Sequence, residues 1–304
     1  MRRRSGDAPR PNQIRTVGII GGGQMGSGIA QVCCVAGFPT VVYEQTEAMA
    51  NRARSAVARG MTVAVERGKL EQTAHVAACE RVTVTTQLQE LAGVDLIIEA
   101  VVEDLAIKNG VWRELDERCP PETIFASNTS SLTIAAMAAA TTRSARVIGL
   151  HFFNPVPVMR LVEVVRAVQT SDESVALVTA FARKLGKEPI AAKDRPGFVV
   201  NRLLVPYLLD AVRALETGVA TVHDIDLGMR LGAGHPMGPF ALLDLVGLDT
   251  LLRMADIMYE EYRDPRFAPP PLLRRMVVAG FYGQKSGKGF WDYSQDPPRV
   301  SEIG

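Results

Sequence analysis

The chain has 304 residues, of which 47% are hydrophobic and 22% charged, the profile of a globular protein with room for one large or two ordinary domains. Its formal net charge of +1 excludes a general attraction to nucleic acid or to an anionic membrane and leaves any phosphate binding to a local site. The four cysteines, Cys33, Cys34, Cys79 and Cys119, show no metal-ligand spacing, so no metal site is expected and a reduced, cytoplasmic setting fits.

Residues 1–13 carry Arg2, Arg3 and Arg4 with no apolar run behind them, and Asp7, Pro9 and Pro11 interrupt any amphipathic helix. They read as a disordered tail and not as a secretory signal. No apolar stretch is long enough to cross a bilayer. From residue 14, short β-branched runs alternate with helical patterns. Strands are predicted over 16–20, 40–43, 96–100, 123–126, 147–151 and 161–165, and helices over 24–36, 48–67, 105–118 and 173–185. This alternation predicts a Rossmann-type, doubly wound, mostly parallel sheet over 14–193. Cys33 and Cys34 read as small apolar fillers on the first helix. The turn Asp194-Arg195-Pro196-Gly197 marks a boundary. Helices then dominate, over about 199–217, 223–231, 240–248, 250–262 and 271–279, so 194–304 is predicted to be an all-helical domain.

The first strand runs into Gly21-Gly22-Gly23-Gln24-Met25-Gly26 and then into a helix. Gly21, Gly23 and Gly26 satisfy G-x-G-x-x-G. The first makes a tight turn, the second lets backbone approach a pyrophosphate, and the third lets helix pack closely on strand. Gln24 and Met25 fill the variable positions at the helix start, whose amides point at the phosphates. The second strand ends at Glu44, placed to accept hydrogen bonds from ribose hydroxyls and to repel a 2′-phosphate, so NAD is expected over NADP.

Four histidines are present. His75 and His223 lie on polar segments and read as solvated, while His235, in a Gly-His-Pro-Met-Gly-Pro loop, reads as structural. His151 closes an apolar strand, at the end where doubly wound sheets place ligands. Twelve residues on, Glu163 sits in Leu-Val-Glu-Val-Val, a strand too apolar for an unpaired acid. His151 is its natural partner, either as a base oriented by a carboxylate or as a satisfied core histidine. Ser130, in Ser127-Asn128-Thr129-Ser130-Ser131, reads equally as a helix cap or as a hydroxyl beside the cofactor. Asn201, among Val and Leu at the start of the helical half, reads as a satisfied polar group or as a substrate contact.

The ordered set of motifs from about residue 14 to 293 resembles the short-chain L-3-hydroxyacyl-CoA dehydrogenases. It comprises Val-Gly-Ile-Ile-Gly-Gly-Gly-Gln-Met-Gly, Ile-Glu-Ala-Val-Val-Glu-Asp, Ala-Ser-Asn-Thr-Ser-Ser-Leu, His-Phe-Phe-Asn-Pro-Val-Pro-Val-Met, Asp-Arg-Pro-Gly-Phe-Val-Val-Asn-Arg and Lys-Ser-Gly-Lys-Gly-Phe. The resemblance implies NAD-dependent interconversion of short-chain (S)-3-hydroxyacyl-CoA, such as 3-hydroxybutyryl-CoA, and 3-oxoacyl-CoA, with no metal. It implies His151 as acid or base at the 3-hydroxyl, Glu163 as its support, Ser130 near the reacting oxygen and the nicotinamide, and Asn201 as a holder of the substrate. Glu103, Lys108, Asn154 and Lys285 fall at positions that line the cofactor site, and the helical domain at a homodimer interface. Two positions depart from the family. Glu44 stands where Asp is common, which keeps the charge. On the following helix Arg67 falls at a lysine position that meets CoA, while Gly60 and Val63 replace polar contacts. The second departure leaves open the same chemistry on an acyl-carrier-protein thioester or a branched acyl-CoA. Against a non-enzymatic NAD-binding protein stands the joint presence of Ser130, His151, Glu163 and Asn201.

Overall fold

The computed structural model describes residues 13–302; the tail expected over 1–13 lies, apart from its last residue, outside them. The chain divides into two compact units, the first ending at Asp194 and the second starting at Arg195. In the first unit the apolar runs form β1 (Val17–Ile20), β2 (Thr40–Tyr43), β3 (Val82–Thr85), β4 (Leu96–Glu99), β5 (Ile124–Ser127), β6 (Val147–Phe152), β7 (Leu161–Arg166) and β8 (Glu188–Lys193). The helices between them are α1 (Gln24–Val35), α2 (Glu47–Glu66), α3 (Gln72–Glu80), α4 (Leu105–Arg118), α5 (Ile134–Ala138) and α6 (Asp172–Lys184).

The eight strands form one sheet in the order β3-β2-β1-β4-β5-β6-β7-β8. Pairing is parallel through β6, antiparallel between β6 and β7, and parallel again between β7 and β8. The strand order reverses at β1, so the crevice at the carboxyl ends of β1 and β4 is the natural ligand position. Strands β1, β4, β5 and β6 are buried along their whole length, as expected for a sheet covered on both faces. Cys33 and Cys34 do pack as buried fillers on α1.

Three elements form where none is predicted: α3, β3 and β8. Both strands are edges of the sheet. β3 carries a largely open face, and β8 reads Glu-Pro-Ile-Ala-Ala-Lys, with a proline tolerated only at an edge. His75, on α3, is half-buried and not solvated, with Nε2 3.7 Å from the Cys79 sulfur. The helix α5 is short, five residues. Its first amides, of Ile134 and Ala135, donate to the Asp194 carboxylate at 2.7 Å each, so the cap comes from a residue distant in sequence.

The second unit comprises α7 (Val200–Glu216), α8 (Val222–Gly232), α9 (Pro239–Val246), α10 (Leu248–Tyr262) and α11 (Pro271–Val278), packed around Leu208, Leu209, Phe240, Leu243, Leu251, Met258 and Phe267. It is not wholly helical: β9 (Trp291–Asp292) and β10 (Arg299–Val300) make a short antiparallel ladder. Asp244 anchors that ladder, accepting from the Phe290 and Trp291 amides at 2.9 and 2.8 Å and from the Tyr293 hydroxyl at 3.2 Å. His235 bonds the Tyr207 hydroxyl through Nδ1 at 3.0 Å.

Burial pushes the Asp244 carboxyl up to about 6, against the pull of those hydrogen bonds. The folded chain therefore holds this proton more tightly than the unfolded chain. The resulting stabilisation is full below about pH 4 and is lost as pH rises towards 6. Thermal unfolding of wild type and Asp244→Asn at half-unit pH steps checks this. The Tm difference should move in the variant's favour between pH 4 and 6, and a pH-independent difference would contradict it.

Candidate active site

The glycine loop is constrained at Gly21 by its backbone conformation and at Gly26 by a close approach. Gly21 has φ +89°, open to glycine at no steric cost. A Cβ on Gly26 would stand 1.7 Å from the Gly21 carbonyl oxygen. At Gly23, the N-cap of α1, an added Cβ would meet nothing within 4 Å, so backbone faces open space there. Beside the loop lies a cleft of ≈ 580 Å³ lined by Gly22, Gly23, Gln24, Glu44 and residues of α2. Glu44 is 6% exposed, and its Oε1 accepts the Gly22 N–H at 2.6 Å. Its Oε2 has no partner among the described residues. These features fit a dinucleotide: the α1 amides carry no side-chain cap, and Glu44 keeps one oxygen for a ribose hydroxyl.

His151 is the penultimate residue of β6, and the antiparallel register sets it directly opposite Glu163 of β7. Nδ1 lies 2.6 Å from Glu163 Oε2, with Glu163 fully buried and His151 4% exposed. A carboxylate only accepts, so Nδ1 carries the proton and Nε2 presents its lone pair. Ser130 Oγ lies 3.1 Å from Nε2. The Phe153 ring packs on the imidazole, centroids 4.5 Å apart.

Ser130 is held by a second network. Glu103 Oε1 accepts from the amides of Ser130 and Ser131 at 3.1 and 3.2 Å and from the hydroxyls of Ser131 and Thr129. Burial alone would raise the Glu103 carboxyl, but Lys108 and the two hydroxyls outweigh it and hold it below the usual range. Lys108 Nζ lies 3.3 Å from Glu103 Oε2 and 2.5 Å from Glu99 Oε1. Glu99 Oε2 in turn accepts from Ser127 Oγ at 2.6 Å. Asn128 Oδ1 accepts the Phe152 amide at 2.9 Å, which ties the same loop to the end of β6.

The structure thus joins Ser130, His151, Glu163, Glu103 and Lys108. Lys108, expected to line the cofactor site, is 1% exposed and closed in between the Glu99 and Glu103 carboxylates. Asn154 is exposed in the turn after β6, and Arg67 is the exposed C-cap of α2. In the second unit, Asn201 lies in the first turn of α7 and Lys285 is paired with Asp249 at 2.7 Å. Sequence reasoning missed Glu99, Ser127 and Lys187. Lys187 is 7% exposed and donates to the Val156 and Met159 carbonyls at 2.5 and 2.8 Å, pinning the turn that carries Asn154. Glu99 carried the signal that exposed Glu163, an acid inside an apolar strand; Lys187 carried none.

Comparison with known proteins gives two matches that together span most of the chain. Residues 16–195 match the model for the NAD binding domain of 3-hydroxyacyl-CoA dehydrogenase, and residues 197–293 match that for its C-terminal domain. A 3-hydroxybutyryl-CoA dehydrogenase of Mycobacterium tuberculosis is 50% identical over 282 residues, 92% of this chain and 99% of that one. A probable 3-hydroxybutyryl-CoA dehydrogenase of Bacillus subtilis is 45% identical over 287 residues, covering 93% and 99%. The crystal structure of (S)-3-hydroxybutyryl-CoA dehydrogenase from Ralstonia eutropha superposes with a TM-score of 0.90 at 43% identity, covering 93% of this chain and 100% of that one.

The burial of Lys108 sets a test. Lys108→Met leaves Glu99 and Glu103 facing each other without a cation and should destabilise the fold by about 3–5 kcal/mol. Lys108→Met/Glu99→Gln, with one charge fewer, should recover part of that loss. Urea unfolding of the two variants measures both, and a single variant as stable as wild type would refute the account.

Proposed function

The chain belongs to the 3-hydroxyacyl-CoA dehydrogenase family, and from that premise we propose that it interconverts (S)-3-hydroxyacyl-CoA and 3-oxoacyl-CoA with NAD, on short acyl chains such as the 3-hydroxybutyryl group. The observation that carries this reading is the Ser130–His151–Glu163 line at the carboxyl end of β6, in the unit that carries the dinucleotide loop. Bound NAD supplies the hydride acceptor at C3 in oxidation, and NADH the donor in reduction.

The chain's own part is proton handling and orientation. In oxidation His151 Nε2 takes the 3-hydroxyl proton, and the imidazolium is stabilised by the buried Glu163 carboxylate. In reduction the same nitrogen returns it. Ser130 Oγ sits within hydrogen-bond reach of Nε2 and shares the reacting oxygen with it. Asn201 holds the thioester end of the substrate, and Arg67 a CoA phosphate. Asn154 and Lys285 contact the cofactor. Glu103, Lys108 and Glu99 keep Ser130 in place; preorganised positioning of this kind is what a proton-transfer geometry requires.

The same reading carries a homodimer formed through the helical unit, where Leu203, Leu231 and Val278 are 72%, 75% and 89% exposed, and a cytoplasmic setting in keeping with free Cys33, Cys34, Cys79 and Cys119. No helix among the described residues is long and apolar enough to cross a membrane.

NADH oxidation with acetoacetyl-CoA tests the function. His151→Gln should lower kcat by roughly 10²–10⁴-fold, the usual worth of a positioned acid–base group, with NADH binding little changed. Glu163→Gln should also lower kcat. His235→Gln should be milder, because His235 bonds Tyr207 and not the dyad; greater damage from it than from His151→Gln would overturn the assignment. Arg67→Ala should raise KM for acetoacetyl-CoA at nearly constant kcat, and should do little with the dephospho-CoA ester. Equal kinetics of mutant and wild type on both esters would reject that contact.

A further inference from the structure

The cleft beside the glycine loop combines two opposed chemistries. Glu44 lines it, and so do Arg52, Ser55 and Arg59 of α2. The two arginines are seven residues apart, two helical turns, with Ser55 between them on the same face. Neither guanidinium has a hydrogen bond or an ion pair among the described residues, whereas Arg54, on another face, is tied to Asn51 and the Val84 carbonyl. In dinucleotide folds an acid after the second strand selects the free ribose 2′-hydroxyl of NAD, and a nearby arginine accommodates the 2′-phosphate of NADP. This chain carries both in one cleft.

We propose that Arg52, Ser55 and Arg59 form a phosphomonoester subsite at the adenosine-ribose end of the cleft, closed to NADP by the Glu44 carboxylate alone. The proposal rests on the NAD-dependent reading above. Glu44 prevails because of how it is held. It is buried, and its Oε1 takes the Gly22 N–H, so it cannot swing aside without leaving a loop amide unsatisfied. The arginines are exposed and their attraction is screened by solvent and salt. Without the carboxylate's charge the balance reverses, since two guanidinium forks and a hydroxyl suit phosphate oxygens. Glu44→Gln is the discriminating change: its amide oxygen can still accept from Gly22, so the loop is kept and only the charge is lost.

The test is kcat/KM for NADH and NADPH with acetoacetyl-CoA. Wild type should prefer NADH; a wild-type preference for NADPH would overturn the cofactor reading itself. Glu44→Gln should raise NADPH efficiency roughly tenfold to hundredfold, the scale of a removed like-charge contact. Adding Arg52→Ala and Arg59→Ala should take that gain back while NADH efficiency in the same background changes less than about threefold. NADPH use that does not rise in Glu44→Gln while NADH turnover persists, or that rises and survives loss of both arginines, overturns the subsite. A binding measurement stands independently of Glu44→Gln folding. Adenosine 2′,5′-bisphosphate and AMP are used to displace NADH, followed by its fluorescence. Arg52→Ala/Arg59→Ala in the wild-type background should weaken the bisphosphate and leave AMP unchanged, and equal effects on the two ligands count against the proposal. A rise in KM for acetoacetyl-CoA that vanishes with its dephospho ester, with no effect on the bisphosphate, would move the arginines to the substrate and also overturn it.

Discussion

A carboxylate with no solvent exposure lies within a β-strand of this protein, and the arrangement around it follows from that. An ionised acid in a low-dielectric interior is costly unless it is paired and hydrogen-bonded. Glu163 meets this demand through His151, 2.6 Å away on the neighbouring strand. Such a pairing needs the two residues directly opposite one another, and β7 provides it by running antiparallel to β6 within an otherwise parallel array. A one-residue slip would turn Glu163 to the other face of the sheet. The reversal of strand direction and the buried acid are therefore one feature: the first brings the residues into register, and the second makes that register the one that leaves no charge unpaired.

The same physics acts at β4 and β5. Glu99 ends β4 and Ser127 ends β5, paired in register, and Lys108 of α4 closes over Glu99. With half-buried Glu103 these residues form a second charge cluster, which holds the 129–131 loop. Ser130 stands where the two clusters meet, its amide on Glu103 and its hydroxyl on His151. Glu99, Ser127 and His151 sit at or next to the carboxyl ends of the parallel strands β4, β5 and β6. β4, β5 and β6, which carry Glu99, Ser127 and His151, are buried along their whole length. Lys187 holds the turn after β6 in a similar way, with no carboxylate partner among the described residues. Burial lowers the pKa of its ammonium, and two backbone carbonyls satisfy it.

What the sequence disclosed and what it withheld follow the same line between local and distant causes. The interior strands were legible because burial on both faces leaves continuous apolar runs, as in Leu96-Ile97-Ile98. The edge strands β3 and β8 were not, because an edge needs neither such a run nor a full ladder; Pro189 and two alanines made β8 resemble a loop. The glycine loop was legible because its requirement is local: Gly26 faces the carbonyl of Gly21, five residues away. The cap on α5 was not, since Asp194 supplies it from 60 residues on. His151 and Glu163 could be paired from one anomaly, an acid in an apolar strand. Glu99 showed the same anomaly, but Lys108 stood out only through the resemblance, as a cofactor-lining position, and nothing in the sequence paired it with Glu99.

The distribution of polar groups also separates what is fixed in this protein from what is adjustable. His151, Glu163, Glu99 and Lys108 are buried and Glu103 is half-buried, and each satisfies another, so a change at one strands its neighbour. The outer face of α2 has the opposite character. A Cβ on Gly60 would lie 2.4 Å from Gln31 Oε1 and would have to displace an amide that donates to the Gly60 carbonyl at 2.9 Å, a constraint from beneath the helix. Arg52, Arg59, Val63 and Arg67 on the exposed side bear no such constraint. The residues proposed for proton transfer thus constrain one another, while the helix face proposed to meet the adenosine end is free of such coupling. Glu44 lies at the border between the two regimes. It is buried and bonded to the glycine loop like a member of the first, and it shares its cleft with the arginines of the second. Its charge can therefore be removed without removing its hydrogen bond to Gly22, which separates the proposed choice of cofactor from the integrity of the glycine loop.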